Sequence, residues 1–246
     1  MIYFIGAGPG DVELITVKGK RLVESCDVII YAGSLVNPRL LEYAKEDAKI
    51  YNSASMNLEE IVDVMKAAFD NGLDVARLHT GDPGIYGAIR EQMEALDDFE
   101  IPYEVIPGIS SFTAAGAVLK RELTVPGQSQ TIILTRVEGR TPVPKEENLK
   151  ALAWHKATMA IFLSVGKIEE IAAELAQAYG PYAPAVVVYK ATWEDQKIVS
   201  GTLSDIAEKV REAGIKKTAL ILVGEFLGDE YDFSCLYDKA FSHGYR

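Results

Sequence analysis

Cysteine is nearly absent from this chain: only Cys26 and Cys235 occur in 246 residues. Two isolated thiols support neither a disulfide framework nor a zinc site, and both are expected to pack as small apolar side chains. Histidine is almost as scarce. His79, His155 and His243 stand in no zinc or triad spacing, so no protein-bound metal is expected. Positive charge is also in short supply, with 25 Lys and Arg against 36 Asp and Glu and a net charge of -11. A field of that sign repels polyanions, and no nucleic-acid partner is expected. The longest largely apolar runs, residues 159–165 and 219–223, fall far short of the roughly 18 residues a membrane span requires. Neither a basic head nor a small-residue cleavage site follows Met1, so the expectation is a cytoplasmic protein with no signal peptide and no membrane partner.

What is present is the composition of a folded globular chain, 48% hydrophobic and 25% charged, long enough for one large α/β domain or two of ordinary size. Residues 2–5 read as a first strand and 27–31 as a second, with a helix in 14–24 between them, a βαβ start. Ile61, Val62, Met65 and Phe69 recur at helical spacing, Asn57 and Glu60 can form a capping box, and Gly72 marks the end. Residues 75–78 form a strand that delivers Gly81-Asp82-Pro83 at its carboxyl end. A helix starting near Pro83 and carrying Ile85, Ile89, Leu96 and Phe99 is expected next. Residues 103–106 repeat the pattern and feed Pro107-Gly108 and two serines that can cap the following helix. Ligands of open α/β sheets gather at such strand ends.

After Leu119 the chain crosses a polar segment containing Pro126-Gly127, and a fresh alternation begins at Thr131. This boundary divides the chain into an N-terminal α/β domain, residues 1–119, and a C-terminal α/β domain, residues 120–246. In the second, strands are expected at 159–163, 185–189, 197–200 and 219–223. One helix presents Ile168, Ile171, Ala172 and Leu175 on one face and stops at Gly180-Pro181, and another spans 203–211. Two α/β domains with a cleft between them is the simplest architecture.

The first strand runs into Gly6-Ala7-Gly8-Pro9-Gly10. A glycine-rich turn there lets backbone pass close to a ligand. It matches neither the dinucleotide fingerprint nor the P-loop, and Pro9 removes an amide that an anion cradle would use. Together with Thr80-Gly81-Asp82-Pro83 and Pro107-Gly108-Ile109-Ser110-Ser111, this loop resembles the opening signature of the tetrapyrrole methylases, which move a methyl group from S-adenosylmethionine. The blocks Tyr31-Ala32-Gly33-Ser34-Leu35-Val36-Asn37-Pro38 and Ile133-Leu134-Thr135-Arg136-Val137-Glu138-Gly139-Arg140-Thr141-Pro142-Val143-Pro144 resemble the branch acting on precorrin-4, with or without cobalt, in cobalamin synthesis. That likeness continues into Leu236-Tyr237-Asp238 and residues 241–246.

The resemblance implies a sheet topology unlike that of Rossmann methyltransferases, with S-adenosylmethionine as cosubstrate in the interdomain region, a tetrapyrrole methylated at carbon 11, and a homodimer. It carries Pro9, Thr80, Gly81, Asp82, Ile85, Ser110, Ser111, Leu163, Ala191, Thr218 and Ala219 into the donor pocket. Leu163 stands where some relatives have Met, and Ala191 where some have Gly. Each residue also has a plainer reading: Asp82 and the serines as helix caps, the apolar residues as core. A polyanionic tetrapyrrole needs local basic groups against the global field, and Arg136 and Arg140 are the best candidates, with Lys120 and Arg121 near the domain junction as helpers. Solvated surface charge is the alternative for each. No catalytic base is identified, because a reduced tetrapyrrole supplies its own carbanion-like carbon. Two rival functions remain at this stage: a same-fold methyltransferase acting on another tetrapyrrole or a macromolecule, and a noncatalytic nucleotide-binding regulator.

Overall fold

The computed structural model describes residues 1–139 and 141–234; Arg140, Cys235 and the terminal block from Leu236 onward lie outside them. The chain forms two compact units, Met1–Ala114 with Thr192–Glu194, and Ala115–Ala191 with Asp195–Arg246.

The first unit is built on β1 (Ile2–Gly6), α1 (Val17–Ser25), β2 (Val28–Tyr31), β3 (Lys49–Asn52), α2 (Leu58–Asp70), β4 (Val75–His79), α3 (Arg90–Asp98) and β5 (Tyr103–Ile106), followed by α4 (Ser111–Leu119). Its five strands are all parallel, in the order β3-β2-β4-β1-β5. Both faces are covered, and the central strands β1, β2 and β4 are buried almost throughout, with Arg77 and His79 the polar exceptions. Ile5, Ile29, Ala76 and Leu78 pack on one face with Val23 and Cys26. Ile2, Phe4, Ile30 and Val75 pack on the other with Ile61 and Met65 of α2 and Leu96 of α3. Buried Cys26 behaves as a small apolar group, since burial, reinforced by Asp74 and Asp27, pushes its thiol up to about 12.

The capping box forms as its spacing predicts: the Asn57 side chain accepts from Glu60 N, and Glu60 Oε2 accepts from Asn57 N. The expected helix starting near Pro83 does not form. Residues 83–86 make a turn, and α3 begins only at Arg90. Tyr86 and Ala88 have φ of 55° and 48°, left-handed positions that interrupt a right-handed helix. Strand β3 is absent from the sequence expectation; it is a half-polar edge strand with no apolar run to mark it.

The second unit contains β6 (Ile132–Arg136), α5 (Leu149–Ala153), β7 (Thr158–Phe162), α6 (Ile168–Tyr179), β8 (Pro184–Tyr189), β9 (Lys197–Thr202), α7 (Ile206–Glu212) and β10 (Ala219–Val223). The sheet order is β6-β7-β10-β8-β9, parallel only between β6 and β7. Leu149, Ile171, Leu175, Ile206 and Val210 from the three helices share one core with Met159, Ile161, Val187 and Ile221.

Candidate active site

In the first unit the chemistry-bearing loops sit at the carboxyl ends of β1, β4 and β5. Strands β2 and β4 are neighbours whose outgoing connections run to opposite edges, the arrangement that opens a ligand crevice in α/β sheets. Thr80 stands at that point, its hydroxyl donating to the Leu35 carbonyl at 2.8 Å.

The loop after β5 closes over the end of β1 and meets the loop after β4. A Cβ on Gly6 would lie 2.5 Å from Gly108 Cα, and one on Gly108 would lie 2.2 Å from Gly81 O, so both positions must be glycine. Gly81 has φ of 66° and exchanges backbone hydrogen bonds with Gly8: Gly81 N donates to Gly8 O at 2.8 Å and Gly8 N to Gly81 O at 3.3 Å. Asp82 stitches the two loops together. One carboxylate oxygen accepts from Gly84 N at 2.8 Å and the other from Gly108 N at 2.9 Å. With no helix starting at Pro83, Asp82 is a strut between loops rather than a helix cap. Ile85 is half-buried in the turn that follows, Ser110 is buried, and Ser111 opens α4. Pro9, Thr80, Gly81, Asp82, Ile85, Ser110 and Ser111 thus belong to one end of one sheet.

The remaining donor-pocket candidates gather at one end of the other sheet. Because β10 runs antiparallel to β7 and β8, its start lies beside their ends. The register Ile221 to Ile161 sets the start of β10 beside the end of β7, which Leu163 follows, and Ala219 pairs directly with Tyr189, two residues before Ala191. Leu163 and Thr218 both have φ of 56°, and Lys190 N donates to Thr218 O at 3.0 Å. Non-glycine residues rarely hold this conformation, and where they do they often mark a site under functional constraint. Leu163 is also 76% exposed, an apolar platform of the kind a planar heterocycle covers.

The basic candidates are more dispersed. Arg136 ends β6, and its guanidinium donates to Thr141 O at 3.1 Å and Pro142 O at 2.7 Å. It lines a cavity of about 450 Å³ with Lys145, Lys167, Glu138, Glu170 and Glu174. Arg121 donates to Gly228 O at 3.0 Å and to the Asp229 carboxylate at 2.8 Å, while Lys120 follows α4 with φ of 55°. Arg140 lies outside the described residues.

Sequence reading passed over four residues here. Asn37 Nδ2 donates to Gly10 O at 2.8 Å and Trp193 Nε1 to Pro9 O at 2.8 Å, so both hold the glycine loop. Their one signal was the presence of Asn37 in a family block. Arg77 and His79 alternate with the core on β4 and are buried beneath the loops. Arg77 donates to Gln92 Oε1 and Ser53 Oγ, and burial pulls its guanidinium down to about 10. Burial, reinforced by Arg77, holds His79 neutral with its pKa lowered to about 3, and its Nε2 has no hydrogen-bond partner among the described residues.

The first unit thus gathers glycine-tethered strand ends and exposed backbone groups at one end of its sheet, and the second presents an apolar platform at one end of its own. The family model described as Tetrapyrrole (Corrin/Porphyrin) Methylases matches residues 1–207. The cobalt-precorrin-4 C(11)-methyltransferase of Methanocaldococcus jannaschii is 60% identical over 247 residues, covering 100% of this chain and 95% of that protein. A solved cobalt precorrin-4 methyltransferase superposes with a TM-score of 0.90 at 48% identity, covering 93% of this chain and 96% of the other. A uroporphyrin-III C-methyl transferase from Thermus thermophilus, solved in complex with S-adenyl homocysteine, gives a TM-score of 0.77 at 29% identity over 92% and 93% of the two chains. The chain belongs to the tetrapyrrole methylases, and its fold is theirs rather than that of a Rossmann methyltransferase.

Proposed function

We propose that this enzyme transfers a methyl group from S-adenosylmethionine to carbon 11 of precorrin-4 or cobalt-precorrin-4, giving the corresponding precorrin-5 in cobalamin biosynthesis. The observation that carries the reading is the unbroken likeness, over the whole chain, to a C(11)-methyltransferase of the cobalt form.

The donor, when bound, supplies a methyl on a sulfonium whose departure leaves a neutral thioether. Everything else is alignment: holding the methyl in line with the ring carbon and keeping water out, with the electron pair for the new bond coming from the substrate. Pro9, Thr80, Gly81, Asp82, Ile85, Ser110 and Ser111 are the donor contacts on the first unit, and Leu163, Ala191, Thr218 and Ala219 those on the second. Support comes from their clustering at one end of each sheet and from the exposed Leu163 platform. Arg136, Arg140, Lys120 and Arg121 recognise substrate carboxylates. Any cobalt belongs to the substrate. The functional domains divide at 119/120, and the enzyme works in the cytoplasm as a homodimer without nucleic-acid or membrane partners; no helix among the described residues is long and apolar enough to cross a membrane.

The test is incubation of the full chain with S-adenosylmethionine and precorrin-4, each with and without cobalt, followed by mass analysis. A product heavier by one methylene, carrying the new methyl at carbon 11, is expected. Absence of product from both substrates, or a methyl at another ring position, would overturn the assignment.

A further inference from the structure

Thr192–Glu194 is the one stretch beyond Ala114 that belongs to the first compact unit. It follows β8 and Ala191 through two left-handed residues, Lys190 with φ of 46° and Thr192 with φ of 70°. For a β-branched threonine that conformation is strained, and such strain persists only where the surroundings enforce it. What enforces it is the glycine loop after β1. Thr192 Oγ1 accepts from Asp11 N at 3.0 Å, the Trp193 indole donates to Pro9 O at 2.8 Å, and Glu194 lies 3.7 Å from the Arg39 guanidinium. The indole also fills the space over Gly10, where a Cβ would lie 2.1 Å from Trp193 Cδ1. Trp193 therefore requires glycine at position 10.

We infer that Trp193, with Thr192, is a positioning residue for the methyl donor: it clamps the Pro9-Gly10-Asp11 backbone in its donor-binding conformation. The inference rests on the proposed use of the glycine loop for S-adenosylmethionine. The Pro9 carbonyl and the Asp11 amide are both set by this one segment, while Asn37 holds the Gly10 carbonyl from the other side. Trp193→Phe keeps an aromatic ring over Gly10 but loses the N–H that fixes the Pro9 carbonyl. Thr192→Val keeps the branched shape but loses the acceptor for Asp11 N.

Calorimetric titration of the full chain with S-adenosylhomocysteine is the direct test, run beside thermal melting and steady-state kinetics with the tetrapyrrole. Trp193→Phe and Thr192→Val should each weaken binding by about tenfold and raise the KM for S-adenosylmethionine alike, as expected for one lost hydrogen bond. The KM for the tetrapyrrole, kcat and the melting temperature should stay near wild type. Thr192→Ser, which retains the hydroxyl, should bind as wild type. With Trp154 replaced by Phe, Trp193 becomes the single tryptophan, the chain having two, and its emission should shift when S-adenosylhomocysteine is added. Wild-type affinity in both Trp193→Phe and Thr192→Val would overturn the inference, as would a loss of affinity that only parallels a loss of melting temperature. Failure of the wild-type chain to bind S-adenosylhomocysteine would instead refute the proposed function.

Discussion

Replacing Asp82 with Ala isolates the strut between the loops after β4 and β5. The variant loses two charge-assisted hydrogen bonds, to Gly84 N at 2.8 Å and Gly108 N at 2.9 Å. Gly84 is exposed, so water replaces the carboxylate there at a cost of about 0.5 kcal/mol. Gly108 is half-buried against Gly6 and Gly81, and losing a charged acceptor at such a site costs about 1.5 kcal/mol. The sum is about 2 kcal/mol, and in a chain of this size each kcal/mol lowers the melting temperature by roughly 2 to 4 °C, so a fall of roughly 4 to 8 °C is expected. Asp82→Asn keeps one oxygen acceptor and should lose about half as much. Amide exchange at Gly108 should quicken in Asp82→Ala. Affinity for S-adenosylhomocysteine should weaken as well, by about 1 to 3 kcal/mol, because the released loops are those that hold the donor. An unchanged melting temperature with unchanged Gly108 exchange would show that the carboxylate does not carry this load. Lower stability with wild-type donor affinity would confine Asp82 to a structural role.

Acid stability should depend on His79. Its pKa is about 3 in the folded chain against 6.5 unfolded, so the unfolded state binds more protons between those values; stability is full above about pH 6.5 and declines as pH falls toward 3, by about 2 kcal/mol at pH 5. Urea titrations of wild type and His79→Leu across that window check this, and equal pH dependence in the two would refute it. Leu163→Ala should leave stability within about 0.5 kcal/mol, since the side chain is exposed, yet weaken S-adenosylhomocysteine binding several-fold in calorimetry. Arg136→Ala and Arg140→Ala should each raise the KM for the tetrapyrrole with donor affinity nearly intact, and substrate binding should weaken with added salt. Arg136→Lys should fall between, because it keeps the charge and loses the fork. Unchanged tetrapyrrole kinetics in both Ala variants would move the carboxylate site to Lys120 and Arg121.

What the sequence determined by itself is whatever depends on neighbours a few residues apart. The apolar runs of β1 and β2 announce strands buried on both faces, and the Asn57 and Glu60 pair announces the start of α2 because a capping box is made within one helical turn. The loop motifs announce the family for the same reason: each is a contiguous block. Tertiary structure decided what depends on distant partners. Strand β3 exists because it adds to the β2 edge, not because of its own pattern. The start of α3 is delayed by the left-handed Tyr86 and Ala88, conformations that neither side chain prefers and that only the surrounding fold can impose. Asp82 reads locally as a cap for a helix near Pro83 and, through the family motif, as a donor contact; that it also holds Gly108, 26 residues away, shows only in the fold. Trp193 gave no local signal at all, since the carbonyl it holds lies 184 residues earlier. Periodicity and capping are short-range physics and can be read along the chain; the glycines at 6, 10 and 108 are required by atoms that only folding brings within van der Waals contact.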